Sequence, residues 1–191
     1  LLVLSSVTTI RIANNMLSVS QEISDNYSAS LVKLGEISEN FEKLNSIIYK
    51  HCIATDDDVK ANLVKSYKST LREISKLCIQ FKKTLNEGQE TTSFNEFQQN
   101  YKHYIKDYKT AINASKFGQS VIASQMANDA LMTQSAKIEK NIQKMQEANQ
   151  TAMNNGILEQ KKVYRTSQIS GITLFVIGLF LGLDVLFICY K

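Results

Sequence analysis

The stretch Phe94-Asn-Glu-Phe-Gln-Gln-Asn-Tyr-Lys-His-Tyr-Ile-Lys-Asp-Tyr108 decides the fold. Its rings, Phe94, Phe97, Tyr101, Tyr104 and Tyr108, recur at steps of three and four, and Ala111 continues the series. That period sets every ring on one face of a helix and predicts a core seam. Thr92-Ser93 before it supplies a start, with Glu96 spaced for a capping box on Ser93. Lys116-Phe-Gly118 supplies a stop.

The same spacing repeats on both sides. Upstream, Leu63, Tyr67, Thr70, Ile74, Leu77, Phe81 and Thr84 form a stripe that Leu71 and Cys78 widen. Thr55-Asp56-Asp57-Asp58 offers N-cap chemistry for that helix, and Asn86-Glu-Gly88 ends it. Further upstream come Ile12, Met16, Val19, Ile23, Tyr27, Leu34, Ile37, Phe41, Leu44 and Ile48. Downstream, a fourth helix starts near Ser120 with Val121, Ser124, Asn128, Leu131, Ser135, Ile138, Ile142, Met145, Asn149, Ala152 and Gly156. The polar members of this last stripe lower stability and suit a seam that specifies register or slides.

Proline is absent from the 191 residues and glycine occurs only seven times, so long helices meet no breaker. Nothing reads as a strand. Heptad-like steps imply nearly parallel, coiled-coil-like packing. The predicted fold class is all-α: an antiparallel up-down-up-down four-helix bundle. Its long first and fourth helices continue into transmembrane helices.

Both ends are apolar. Ile169 to Tyr190 is about as long as a bilayer crossing requires, roughly 20 residues, and Tyr164 and Tyr190 flank it. Leu1 to Ile10 reads as the last turns of a first spanning helix whose beginning is missing. The predicted organisation is 1–11 as the end of that span, 12–165 as the bundle, and 166–191 as the second span. The fourth helix is expected to run without a stop from Ser120 to Tyr190. Gly171, Gly178 and Gly182 give the second span a smooth face for close helix packing, and Asp184 is its costliest residue. Arg11, Lys161, Lys162 and Arg165 flank the membrane on the bundle side, against the positive-inside tendency. That tendency weakens for long translocated segments, so the bundle is placed outside.

Charge and chemistry exclude several classes. The net charge is +4 with lysines and acids interspersed, so there is no nucleic-acid footprint. His51 and His103 sit on different helices, and no phosphate loop or nucleophile elbow occurs, so this stretch is not read as an enzyme. No metal-site spacing and no cofactor motif is found. Cys52 lies near a turn and Cys78 beyond it, roughly 25 Å apart along the helix axis, too far for a disulfide.

Taken in order, apolar helix, amphipathic rod, acidic turn (Ile53-Ala-Thr-Asp-Asp-Asp58), return hairpin, rod and spanning helix, the chain resembles the four-helix-bundle sensor domain of bacterial methyl-accepting chemotaxis proteins. Phe94 to Tyr104 looks like that family's aromatic third helix. The resemblance implies an extracytoplasmic ligand sensor in the plasma membrane that works as a homodimer. Its ligand would be a small molecule or a ligand-loaded binding protein, and its cytoplasmic signalling partners would act through a region after Lys191. The family's amino-acid receptors grip their ligand with arginines near the distal end. Here Ile48 and Cys52 stand where such arginines are expected, so the location carries over and the chemistry does not. Candidate lining residues are Lys43, Lys50 and His51 with Gln125 and Asn128 of the fourth helix. The same module on a histidine kinase or a cyclic-dinucleotide enzyme, or a structural membrane-anchored coiled coil, is the alternative.

Overall fold

The computed structural model describes residues 2–85 and 88–190. Asn86 and Glu87, expected to close the second helix, lie outside the described residues, as do the side chains of Asp184 and Cys189. The described residues form helices joined by short turns: α1 (Leu2–Glu22), a π-helical segment (Ile23–Ser28), α2 (Ala29–Ile53), α3 (Asp57–Lys82), α4 (Gln89–Lys116), α5 (Ser120–Met126), a second π-helical segment (Ala127–Leu131) and α6 (Met132–Cys189). Packing divides it into two compact units, Ser28–Gln150 and Leu1–Tyr27 with Thr151–Lys191.

The unit Ser28–Gln150 is an antiparallel four-helix bundle built from α2, α3, α4 and the α5–α6 rod. Its seams are those the spacing predicts. Leu34, Ile37, Phe41, Leu44 and Ile48 are buried on α2, and Tyr67, Thr70, Ile74, Leu77 and Phe81 on α3. On α4, Phe94, Phe97, Tyr104, Tyr108 and Ala111 are buried. The aromatic seam works as a ladder. Phe94 meets Phe81 of α3 at 5.4 Å and Phe97 at 6.1 Å, and Tyr67 of α3 stacks on Tyr108 at 4.7 Å. Phe41 of α2 meets Tyr104 edge-on at 5.0 Å. Such pairs add about 0.5–1.5 kcal/mol each beyond the area they bury.

The turns follow their chemistry. Asp56 accepts a 2.9 Å bond from the Val59 amide and caps α3. Gly118, at φ +76°, ends α4, with Gln119 N–H bonded to Ala114 O and Gly118 N–H to Ser115 O. That pair of bonds is a Schellman motif, whose left-handed residue is glycine for want of a Cβ.

Three details differ from the sequence reading. α4 starts four residues early, at Gln89, because Gly88 at φ +103° serves as its N-cap. Ser93 is therefore an interior, buried residue, and Glu96 bonds Asn141 and Lys144 of α6 instead of closing a capping box. The fourth helix is not uniformly α from Ser120 onward, since residues 127–131 are π-helical. At its start the buried positions are Ala123, Ala127 and Leu131, while Val121 is 74% exposed and Asn128 is also exposed. The wider π turn absorbs an extra residue, so a core stripe stepping by fours stays on one face.

The unit Leu1–Tyr27 with Thr151–Lys191 pairs α1 with the later part of α6. Ile12, Met16, Val19 and Ile23 are half-buried. Gly156 allows a close approach: a Cβ there would lie 3.2 Å from Cγ1 of Ile23. Between 170 and 183 most apolar side chains are exposed, with Ile172 65%, Phe175 70% and Phe180 65% exposed. A Cβ at Gly171, Gly178 or Gly182 would meet nothing within 4 Å.

Candidate functional site

The second π turn opens a groove on the bundle face between α2 and the α5–α6 rod. The cavity measures about 220 Å³ and is walled by Asn45, Ile48 and Tyr49 on one side and Ala127, Leu131 and Ser135 on the other. In the π turn the Met132 amide reaches back to Ala127 O, and the same oxygen accepts the Tyr49 hydroxyl at 3.3 Å. Tyr49 thus ties α2 to the irregular turn. Single π turns concentrate at functional positions.

A polar relay crosses the bundle beneath the groove. The Tyr104 hydroxyl of α4 donates a short bond to Asn45 Oδ1 of α2. Asn45 Nδ2 donates to Ser135 Oγ of α6 at 2.7 Å, and Ser135 Oγ donates to Glu139 Oε1 at 2.9 Å. Tyr104 is wholly buried, and burial pushes its phenol pKa well up, so it holds its proton as a donor. Each bond fixes the direction of the next, which joins three helices through one amide.

The five residues proposed from sequence divide into two groups. Lys43 and Lys50 on α2, Gln125 on α5 and Asn128 in the π turn are all exposed. They flank the groove in sequence, but its walls are their neighbours Asn45, Ile48, Tyr49 and Ala127. His51 belongs to the interior. It is 0% exposed, and its Nδ1 lies 2.9 Å from Ser115 Oγ of α4. Ser115 Oγ donates its one proton to His51 O at 3.0 Å, so it accepts from Nδ1–H. Nε2 is then a buried acceptor with no partner. Burial, then the Lys60 and Lys116 charges, hold the His51 pKa below 6.5.

Sequence reasoning missed a second polar set, which locks α4 to α6. Gln134 Nε2 donates to Asp107 Oδ2 at 2.6 Å, Asn100 Nδ2 to Asn141 Oδ1 at 2.8 Å, and Asn141 Nδ2 to Glu96 Oε2 at 2.8 Å. Lys144 Nζ adds a 3.2 Å ion pair to Glu96, and Asn149 Nδ2 donates to buried Glu90. Of the four polar seam residues read from sequence, Ser135 and Asn149 are buried and partnered, Ser124 is half-buried and Asn128 is exposed. The α4–α6 register is therefore set by directional bonds as well as by apolar packing.

Among the described residues one helix, Ser120–Leu183, is long and apolar enough to cross a membrane. Its most apolar 18-residue window has a mean hydropathy of 1.7 and none of it is buried. Fold and groove together define an all-α bundle whose last helix carries a span-length apolar stretch. The model of the family described as the four-helix-bundle sensory module for signal transduction matches residues 1–164, and the chain belongs to that family. A comparison with curated proteins finds no match.

Proposed function

We propose that this chain is the ligand-sensing and transmembrane signal-transducing region of a chemotaxis receptor. Its bundle stands outside the plasma membrane, anchored by α6 and by a spanning helix that ends in α1. The family match over residues 1–164 carries the sensor role. Support for the relay comes from α6 itself, which is one helix over Met132–Cys189 and takes part in both the polar bonds to α4 and the exposed apolar stretch. A ligand favours one of two arrangements of α6 against its neighbours, and it shifts their populations only by its difference in affinity for the two. The groove at the π turn is the place where that difference is made, because Tyr49 and Asn45 there hold α2 directly to the rod. The active unit is a homodimer.

Insertion of Gly-Gly after Tyr164, in the receptor with its own output domain, tests the relay. The expected result is unchanged ligand binding with loss of the ligand-dependent output. An output that survives the insertion contradicts the reading.

A further inference from the structure

Away from the groove, and sharing none of its lining residues, a second cavity of about 360 Å³ opens where α3 begins and α4 ends. Three lysines line it: Lys60 and Lys65 of α3 and Lys116, the last residue of α4. Asp57 is the one acid in its wall, and Ala61 and Val64 supply an aliphatic floor. The volume falls within the usual range for small-ligand sites, about 300–1,000 Å³.

The cavity wall carries a net positive charge, three lysines against one aspartate. The ion pairs among the described residues are Lys76–Glu73 and Lys144–Glu96, so none neutralises these three lysines. Lys60 Nζ has one bond, 3.3 Å to Ser115 O, which leaves it further donors to offer. Lys60 also sits in the first turn of α3, where the helix dipole opposes a cation and favours an anion. Lys60 and Lys116 line this one cavity although their helices differ. Arranging like charges around one cavity is costly, and an anion between them relieves the cost.

We propose that this cavity binds a compact, doubly charged anion of the phosphate or dicarboxylate class, held by Lys60, Lys65 and Lys116. Lysines act as point charges without the planar fork of arginine, so charge and size set the selectivity. A dianion suits three lysines and one aspartate better than a monoanion. The site is separate from the groove at the π turn, and it rests on the sensor reading only for the consequence that its occupancy is signalled.

Calorimetric titration of the full chain in lipid nanodiscs, at constant ionic strength in chloride, tests it. The probes are inorganic phosphate, succinate and acetate. Saturable binding of phosphate, of succinate or of both, with acetate much weaker, supports the site, and which of them binds identifies the class. Combined Lys60→Gln and Lys116→Gln substitution is expected to weaken that binding at least about tenfold, the scale of one lost charge-assisted hydrogen bond. Lys102→Gln, an exposed lysine elsewhere on α4, is expected to leave it unchanged. Binding of no probe, equal binding of acetate, or an equal loss in the Lys102→Gln variant overturns the proposal. Failure here leaves the sensor reading standing, because that reading rests on the family match, whereas binding with no output in the receptor would keep the site and remove only its part in signalling.

Discussion

The two compact units are made of the same kind of helix and treat their apolar residues in opposite ways. Between Ser28 and Gln150 the apolar seams are hidden: Leu34, Phe41, Ile74, Phe81, Tyr104 and Ile138 are each no more than 1% exposed. In the other unit no described side chain is fully buried, and its described apolar residues between 170 and 183 are mostly exposed. The bundle satisfies its apolar surface with itself. The span-length stretch leaves that surface exposed, and it is long and apolar enough to cross a membrane. Periodicity separates the bundle seams from the span-length stretch: steps of three and four in one, an unbroken apolar run in the other.

That contrast is open to attack by substitution, and the largest effect is expected in the bundle. Phe41→Ala removes a ring packed edge-on against Tyr104 and is expected to cost about 3–5 kcal/mol, read as a shift in the denaturation midpoint of the full chain. A cost under about 1 kcal/mol would mean that the seam collapses around the gap. In the other unit, Phe175→Asp touches no core, because Phe175 is 70% exposed. It is expected to leave bundle stability unchanged while raising the cost of membrane insertion by about 3 kcal/mol, scored by the integrated fraction. Bundle unfolding on this substitution would break the distinction between the units.

Smaller effects sharpen the picture inside the bundle. Asn45→Ala removes both the acceptor for Tyr104 and the donor to Ser135. The expected loss is about 1–3 kcal/mol, since a buried donor is left without its partner. His51 sets the pH dependence. Its folded pKa lies below 6.5, so the unfolded chain binds the proton first as pH falls. Stability is fully present above 6.5 and falls as pH drops toward the folded pKa, at no more than about 1.4 kcal/mol per pH unit. His51→Gln is expected to remove that slope between about pH 7 and 5, as followed by urea unfolding.

Much of this was legible in the residues. The α3 and α4 seams and the Asp56 cap follow from spacing and side-chain chemistry, because burial and capping are local demands. Gly88 shows where local reading fails. Its position after Asn86-Glu87 suggested the end of α3, yet its left-handed backbone makes it the start of α4 and turns Ser93 from cap to core. The start of the fourth helix failed for another reason. Val121, Ser124 and Asn128 fit a regular helix, whereas Ala123, Ala127, Leu131 and Ser135 step by fours and need a π turn. The unbroken series of fours was the available signal. The burial of His51 was not legible, because its partner Ser115 lies 64 positions away and no local pattern carries that information.

The absence of tryptophan makes the central claim directly measurable. With one tryptophan placed at a time at Leu158, Phe175 or Phe180, each protein carries a single indole to follow in bilayers containing brominated lipid. Emission is expected to be blue-shifted and strongly quenched at Phe175 and Phe180, and unquenched at Leu158. Unquenched emission at Phe175 and Phe180, or equal quenching at Leu158, would contradict the assignment of one helix to two solvents.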